Sequence, residues 1–285
     1  MIPDAVAVIT YPGHCVTTLL TVKNLQNLTG WQVPVYLFVD DIGKQYQEWD
    51  GDYIEDIREF YDFEFSVVKF SQFGWPYIWD GWLTQQLVKL NVDRFLPGNT
   101  WYVTDGDVYI KEILRYGTTP FNYVPDRNKL IHAQNRSYLK HILKTPDILL
   151  EHNNRLLFTH HAPFRWIERE HLQKLREHVS KIHINDFNLV HLHLIKAERI
   201  IGFGPTEDCL SMTEWDLIEV FRANILNEDI GLEYWPLRIN TSIENQARFW
   251  TFYGTDRDID LQWFEQFNID VSAEIQQKIQ SIFRT

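Results

Sequence analysis

Cysteine is scarce in this chain of 285 residues, which has only Cys15 and Cys209. Two cysteines this far apart cannot form a disulfide framework, and their spacing is not that of a zinc site. Few cysteines are typical of proteins kept in a reducing compartment. We therefore expect a cytoplasmic protein.

Long apolar runs and clusters of basic residues are also missing. Residues 1–4 carry no basic side chain, and no apolar run reaches the roughly 18 residues of a membrane span, so we expect neither a secretory signal nor a transmembrane helix. The formal net charge is -12, which argues against binding to nucleic acid or to an anionic membrane. An acidic protein that handles a polyanionic substrate would need a metal ion as intermediary.

Apolar residues make up 45% of the chain, enough to bury the core of one large domain or of a domain with a subdomain. The first half alternates between apolar runs typical of buried strands and amphipathic stretches typical of helices. This alternation predicts an α/β fold with a mostly parallel sheet. The predicted strands are 5–10, 33–39, 65–70 and 101–104, and the predicted helices are 16–28, with Leu20 and Leu28 on its apolar side, and 80–95.

The stretch from 101 to 110 is the most informative part of the sequence. It places Asp105 and Asp107 on either side of Gly106 at the end of an apolar strand. The glycine allows a sharp turn, so both carboxylates can face one ion. Hard oxygen ligands of this kind suit Mg²⁺ or Mn²⁺ and, through the metal, a diphosphate.

Two other predicted strands end in polar residues, one at Tyr11 and one at Asp40. In an open parallel sheet the carboxyl ends of the strands border the ligand crevice. We therefore expect Tyr11 and Asp40 to lie in the same crevice as Asp105.

The predicted helix before the aspartate strand carries Gln85 and Lys89 four residues apart on one face, with Gln86 beside them. One interpretation is a solvated polar face, because lysine is usually exposed. The other is a lysine at the rim of the crevice that contacts a phosphate or a sugar.

Ten of the eleven histidines lie between His132 and His193. His160 and His161 follow a strand-like run at 155–159, as a metal ligand at a sheet edge would, and imidazole is a good ligand for Mn²⁺. We place a third metal ligand there, with structural hydrogen bonding as the alternative. Among the others, His191 and His193 alternate in a strand-like run, which is a second metal-ligand geometry but equally typical of an ordinary half-buried strand. His171 and His178 lie in a helical stretch, where we expect them to be solvated.

Glu214 has two compatible interpretations. With Ser211 it forms a capping box ahead of an apolar-periodic helix, and a cap alone accounts for both residues. A carboxylate at a helix N-terminus facing the crevice is also a candidate general base for an acceptor hydroxyl, with Asp216 as the alternative.

The last third of the sequence predicts helices at 243–253 and 272–283. We divide the chain into a catalytic domain, 1–235, and a C-terminal helical extension, 236–285. We expect the extension to pack on the catalytic domain or to mediate a homodimer.

Several short blocks form a further pattern across residues 1–225. They are Tyr11, Asp40-Asp41, Gly81-Trp82-x-x-Gln85-Gln86-x-x-Lys89-Leu90, Val103-Thr104-Asp105-Gly106-Asp107, Phe158-Thr159-His160-His161 and Ser211-Met212-Thr213-Glu214-Trp215-Asp216. In this order they resemble a GT-A-fold nucleotide-sugar glycosyltransferase. They are similar in particular to a family of bacterial and phage glycosyltransferases formerly classed as a domain of unknown function.

The resemblance implies a GT-A-like α/β fold and a metal-dependent reaction. A sugar would move from a nucleoside diphosphate sugar, expected to be of the UDP type, to a glycan or another hydroxyl acceptor. It implies that Asp105 and Asp107 bind Mn²⁺ or Mg²⁺ and the donor, and that a later histidine completes the metal site. It also implies donor contacts from Lys89, and we add Gln85 and Gln86 on the same helix, with Tyr11 and Asp40 at the nucleoside.

Two other functions remain open. The segment around Asp105 and Asp107 also resembles the motif of haloacid-dehalogenase-like phosphatases, in which the first aspartate is the nucleophile and the second an acid/base. That fold normally opens with the motif, whereas here three predicted strands precede it. The other alternative is a non-catalytic carbohydrate-binding module, because a fold does not by itself determine a function.

Overall fold

The computed structural model describes the core of the molecule and not every segment. The described residues are 1–43, 53–61, 63–74, 81–123, 139, 142–145, 151–152, 155–158, 163–182, 214–235 and 249–251. His160, His161 and the helix predicted at 272–283 lie outside these ranges.

The first half of the chain forms the predicted succession of strands and helices. The elements are β1 (Ala5–Thr10), α1 (Cys15–Thr29), β2 (Val35–Val39), α2 (Tyr53–Phe60), β3 (Phe65–Lys69), α3 (Gly81–Lys89), β4 (Thr100–Asp105) and β5 (Val108–Ile110). Short 3₁₀ helices follow β3 and α3, at Phe70–Phe73 and Val92–Arg94. The helix predicted at 80–95 therefore ends earlier than expected, and its last part continues as a 3₁₀ turn.

The second half adds further strands and two long helices around this core. They are β6 (Thr118–Tyr123), β7 (Glu151–His152), β8 (Arg155–Phe158), β9 (Phe164–Glu168), α4 (Arg169–Ile182), α5 (Glu214–Asn224), β10 (Gly231–Tyr234) and β11 (Phe249–Thr251). No described helix is long and apolar enough to cross a membrane.

The central sheet has the strand order β3-β2-β1-β4-β9. Its first four strands are parallel and β9 runs antiparallel to β4. Every residue of β1 is buried, as expected for a strand with both faces covered. The predicted α/β class, with a mixed, mostly parallel sheet flanked by helices, is confirmed.

Two smaller sheets lie beside the central one, β10-β6-β8-β7 and β11-β5. The strand β11 occupies part of the segment predicted as a helix at 243–253, so that prediction is wrong for these three residues. They are Phe249, Trp250 and Thr251, which favour strands and pair antiparallel with β5. A partner strand from a distant part of the chain therefore decides their conformation.

Helix α1 uses two of its faces to hold the sheet. One face is apolar and packs on β1 and β2, and the other accepts backbone hydrogen bonds from β5. Thr21 Oγ1 accepts from Val108 N–H at 3.0 Å, and Asn24 Oδ1 accepts from Ile110 N–H at 2.7 Å. Leu28 is 41% exposed, so its predicted place on the apolar side is wrong, because the buried face of α1 ends at Leu25.

Helices α4 and α5 contact each other on the β9 side of the sheet. The expectation that His171 and His178 are solvated is wrong. His171 Nε2 lies 2.9 Å from Glu228 Oε1, and His178 Nε2 lies 3.0 Å from the carbonyl oxygen of Leu143. Both imidazoles therefore tie α4 to neighbouring segments.

Candidate functional site

The carboxyl ends of β1, β2 and β4 meet at one edge of the central sheet. Asp105 is level with Ile9 of β1, and Asp40 N–H donates to the carbonyl oxygen of Thr10 at 3.0 Å. Tyr11 directly follows β1. The structure therefore brings Tyr11, Asp40 and Asp105 to the same edge, as the strand order in the sequence predicts.

The Asp-Gly-Asp turn lies tightly against the start of α1. Gly106 N–H donates to the carbonyl oxygen of Ile9 at 2.8 Å. A Cβ atom at Gly106 would lie 2.5 Å from Thr18 Oγ1 and 3.0 Å from the Ile9 oxygen. Only glycine fits, so the close packing on β1 and α1 fixes where the two aspartates leave the strand.

Lys89 bridges two carboxylates. Its Nζ lies 2.7 Å from Asp105 Oδ1 and 2.8 Å from Glu214 Oε1. The lysine side chain is 2% exposed, so the interpretation of a solvated helix face is wrong. Burial alone would lower the pKa of Lys89, but the two carboxylates outweigh it and raise that pKa above its usual value.

Glu214 is the first residue of α5 and is 1% exposed. Its backbone N–H donates to Gln86 Oε1 at 3.1 Å, which links α5 to α3. Burial raises the pKa of the Glu214 carboxyl, and the ammonium of Lys89 opposes that rise. Among the described residues, Oε2 of Glu214 has no hydrogen-bond partner.

The neighbouring predicted residues differ in burial. Gln86 is buried, whereas Gln85 is half-buried. Asp216 is buried in the first turn of α5. Ser211, the predicted capping partner of Glu214, lies outside the described residues.

Asp107 is part-buried beside Asp105. Burial and the negative charge of Asp105 raise the pKa of Asp107 to about 7, and the positive charge of Lys89 opposes this. Lys89 pairs with Asp105 but does not cancel the rise at Asp107, and a divalent ion would relieve the remaining repulsion between the two carboxylates. Within the described ranges no three His, Cys, Asp or Glu residues are grouped as a complete metal site.

Tyr11 and Asp40 each have a partner close by in the chain. The Tyr11 hydroxyl lies 2.5 Å from His14 Nε2, and the centroids of the two rings are 3.9 Å apart. Asp40 Oδ1 accepts hydrogen bonds from the N–H groups of Ile42, at 3.2 Å, and Gly43, at 2.8 Å. Burial raises the pKa of Asp40, and these two hydrogen bonds lower it.

Three residues that the sequence analysis did not select lie behind this site. Trp215 has Lys89 Nζ 5.1 Å from its ring centroid and Arg165 Cζ 5.3 Å from it. Arg165 Nε lies 4.0 Å from Glu219 Oε1. One sequence signal could have indicated a buried cation at this place. It is the group of three acidic residues at 214, 216 and 219, which lie close together on a predicted helix.

No family model matches this chain, and no curated protein matches it at the level of sequence. Among solved structures it is similar to the galactosyltransferase LgtC in complex with donor and acceptor sugar analogues, with 11% identity and a TM-score of 0.41 over 96% of this chain and 99% of that one. It is similar to the glycosyltransferase GlyE of Streptococcus pneumoniae, with 9% identity and a TM-score of 0.44 over 99% of this chain and 64% of that one. For the apo bifunctional glycosyltransferase WbbM the identity is 7% and the TM-score 0.44, over 100% of this chain and 52% of that one.

Proposed function

We propose that this chain is a metal-dependent glycosyltransferase of the GT-A type, which transfers a sugar from a nucleoside diphosphate sugar to a hydroxyl acceptor. One observation carries the proposal: buried Lys89 bridges Asp105 and Glu214 beside Asp107, at the carboxyl edge of parallel strands. This edge is where open α/β sheets bind ligands. The site holds acidic groups for a metal and a fixed cation beside them.

The residues present fit a divalent cation. Lys89 contacts the Asp105 carboxylate through Oδ1 and so leaves Oδ2 of that carboxylate to another ligand. The raised pKa of Asp107 indicates that its charge lacks a full counter-ion. Asp105 and Asp107 would hold Mn²⁺ or Mg²⁺, with His160 or His161 as a third ligand, and the bound ion would supply neutralisation of the leaving diphosphate.

The chain's own residues would bind and orient the donor. Lys89 holds the Asp105 carboxylate at 2.7 Å and adds positive charge near the diphosphate. Tyr11 and Asp40, at the ends of β1 and β2, would contact the nucleoside of a UDP-type donor. Half-buried Gln85 and buried Gln86, which lie on the same helix as Lys89, complete the proposed donor contacts.

Glu214 is the proposed general base for the acceptor hydroxyl. Its Oε2 is free of hydrogen bonds within the described chain, and burial raises the pKa of its carboxyl, which makes it a better proton acceptor than an ordinary glutamate. Asp216, two residues further along α5, is the second candidate.

A panel of nucleotide sugars tests the proposed function. The protein is incubated with each donor and Mn²⁺, and released nucleoside diphosphate is measured by chromatography, with Asp107→Asn as the inactive control. We expect one donor to be hydrolysed or transferred only in the presence of Mn²⁺. Hydrolysis of p-nitrophenyl phosphate without any activity on nucleotide sugars would instead support the phosphatase alternative. Sugar binding without turnover would support a binding module.

Glu214→Gln separates catalysis from capping. If Glu214 is the general base, the amide removes the proton acceptor and turnover should fall by roughly 10²- to 10⁴-fold while donor affinity stays unchanged. Asp216→Asn is the matched control on the same helix turn and should retain turnover. Transfer at the parental rate by Glu214→Gln would overturn the assignment, and loss of turnover in Asp216→Asn alone would move the role to Asp216.

A further inference from the structure

Arg165 is a fully buried cation behind the proposed site. It lies on β9 directly opposite Val103 of β4, and its side chain is 2% exposed. A guanidinium placed in the interior costs several kcal/mol in lost hydration unless charged or hydrogen-bonding groups surround it. The groups around Arg165 must therefore offset this cost.

The surroundings of Arg165 connect it to the site. Its Nη1 donates to the carbonyl oxygen of Phe164 at 2.7 Å, and its Nε lies 4.0 Å from Glu219 Oε1. Burial lowers the pKa of Arg165 to about 10, while the charges of Glu219, Glu214 and Asp216 oppose that change. Arg165 therefore balances the acidic first turns of α5, the helix that supplies Glu214.

Trp215 carries the contact from Arg165 to Lys89. The Arg165 guanidinium carbon lies 5.3 Å from the Trp215 ring centroid, and the Lys89 ammonium lies 5.1 Å from it. Trp215 itself is 2% exposed, so its ring cannot turn without disturbing both cations. A planar guanidinium packs well against an indole face, and a lysine ammonium is attracted to the same ring.

We propose that Arg165 is a positioning residue which, through Trp215, holds the Lys89 ammonium between Asp105 and Glu214. Arg165 packs against the Trp215 ring and neutralises the acidic residues in the first turns of α5. The ring is therefore kept in the position in which it contacts the Lys89 ammonium. Lys89 in turn holds Oδ1 of Asp105 and leaves Oδ2 of the same carboxylate to the proposed metal. The consequence for turnover depends on the proposed function, whereas the position of Lys89 does not.

Chemical labelling of Lys89 tests the proposal without any assay of activity. Wild type and Arg165→Met are treated with N-hydroxysuccinimide acetate at one pH, and acetylation of each lysine is followed by mass spectrometry. We expect Lys89 to react about 3- to 30-fold faster in the variant, the range that the loss of a buried cation–π contact gives. Removing a nearby positive charge would by itself slow the reaction by raising the pKa of the amine, so a faster reaction reports release of Lys89.

Two internal reporters separate local release from unfolding. Cys15 is buried among apolar residues of α1, β1 and β2, in a core cluster separate from the one that contains Trp215, so its rate of alkylation reports opening of the whole domain. Lys181 is 71% exposed and reports the reagent itself. Both rates should stay unchanged in Arg165→Met, and a parallel rise at Cys15 and Lys89 would mean that Arg165 only stabilises the fold.

Arg169 provides a matched control variant. Its guanidinium carbon lies 5.0 Å from the ring centroid of Trp101, and it donates hydrogen bonds to three backbone carbonyls of the chain between α3 and β4. Arg169→Met should therefore lower the melting temperature without releasing Lys89. Equal release of Lys89 in both arginine variants would overturn the proposal.

The route through the ring is tested by two substitutions of Trp215. Trp215→Phe retains an aromatic ring and should keep Lys89 protected, whereas Trp215→Leu should release it. Adding Arg165→Met to Trp215→Leu should bring no further increase in Lys89 labelling, since both changes break the same connection. Additive effects of the two substitutions on labelling would show that Arg165 does not act through Trp215.

Turnover provides the last readout. If the proposed function holds, Arg165→Met should lower kcat/KM for the donor, because a released Lys89 no longer places its charge and the Asp105 carboxylate at the diphosphate. If no nucleotide sugar is turned over by the wild type, the proposed function fails, but the labelling result still decides the role of Arg165.

Discussion

Asp107→Asn is expected to make the metal-free protein more stable at pH 8. The pKa of Asp107 in the fold is raised to about 7, above that of an aspartate in an unfolded chain, because of burial and the charge of Asp105. Because its pKa is raised in the fold, this carboxyl loses its proton at a lower pH in the unfolded chain than in the folded one. As the pH rises between these two pKa values, the free energy of unfolding therefore falls. Asparagine removes this cost, which is on the order of a few kcal/mol at about 1.4 kcal/mol per pKa unit.

Urea unfolding of wild type and variant without metal, at pH 5 and pH 8, measures the effect. The gain in the free energy of unfolding should be larger at pH 8, where wild-type Asp107 is charged, than at pH 5, where it holds its proton. Asp93→Asn is the matched control, because Asp93 is buried and paired with Arg176 and its replacement should lose stability. A loss of stability at pH 8 in Asp107→Asn would contradict the repulsion inferred here.

The same variant should be inactive if the proposed function is correct. Asparagine keeps the shape of aspartate but not its negative charge, so it is a weaker ligand for a hard cation. We expect Mn²⁺ binding by the donor-free protein, measured by calorimetry, to be lost together with turnover. If Asp107→Asn is more stable than wild type but binds Mn²⁺ with unchanged affinity, Asp107 is not a ligand of the metal.

Lys89→Met is expected to lower the free energy of unfolding by about 3–5 kcal/mol, the usual result of removing one partner from a buried ion pair. Methionine fills a similar volume, so the loss comes from two carboxylates, those of Asp105 and Glu214, that no longer have their cation. The pKa of Lys89 is raised in the fold, so the contribution of its charge to the free energy of unfolding is fully present at any pH below the pKa of a free lysine. Wild-type Lys89 is therefore fully charged at both pH 5 and pH 8.

The dependence of this loss on pH comes from the carboxylates. At pH 5 an unpaired Glu214 can take up a proton, whereas at pH 8 protonation costs more, so we expect the larger loss at pH 8. Adding Glu214→Gln to Lys89→Met should recover part of the stability, because it removes one of the two unpaired charges. A loss below about 1 kcal/mol at pH 8 would show that Lys89 is solvated.

The sequence predicted the elements that form the sheet and the place of the site. The apolar runs that became β1, β2 and β3 lie within a residue or two of their predicted bounds. Because a short apolar run between turn signals is typical of a strand, the pattern is local and can be read without a structure. The order of strands and helices then predicted that polar residues after the strands would share one edge.

The prediction was wrong where long-range contacts decide the outcome. The segment at 249–251 resembles part of a helix by its spacing but pairs with β5 as a strand. Lys89 resembles a solvated residue by its type, yet it is buried between carboxylates from two other elements. In both cases the deciding partner lies far away in the sequence, so no local pattern records it.

The sequence by itself determined the α/β class, the position of the Asp-Gly-Asp turn and the candidate residues around it, because strand periodicity and the glycine between two aspartates are local properties. Only the tertiary structure decided which charges meet. It places Glu214 against Lys89, and it places Arg165 against Trp215. The physical reason is that a buried charge is stable only beside an opposite charge or a polarisable ring, and folding of the whole chain brings those groups together.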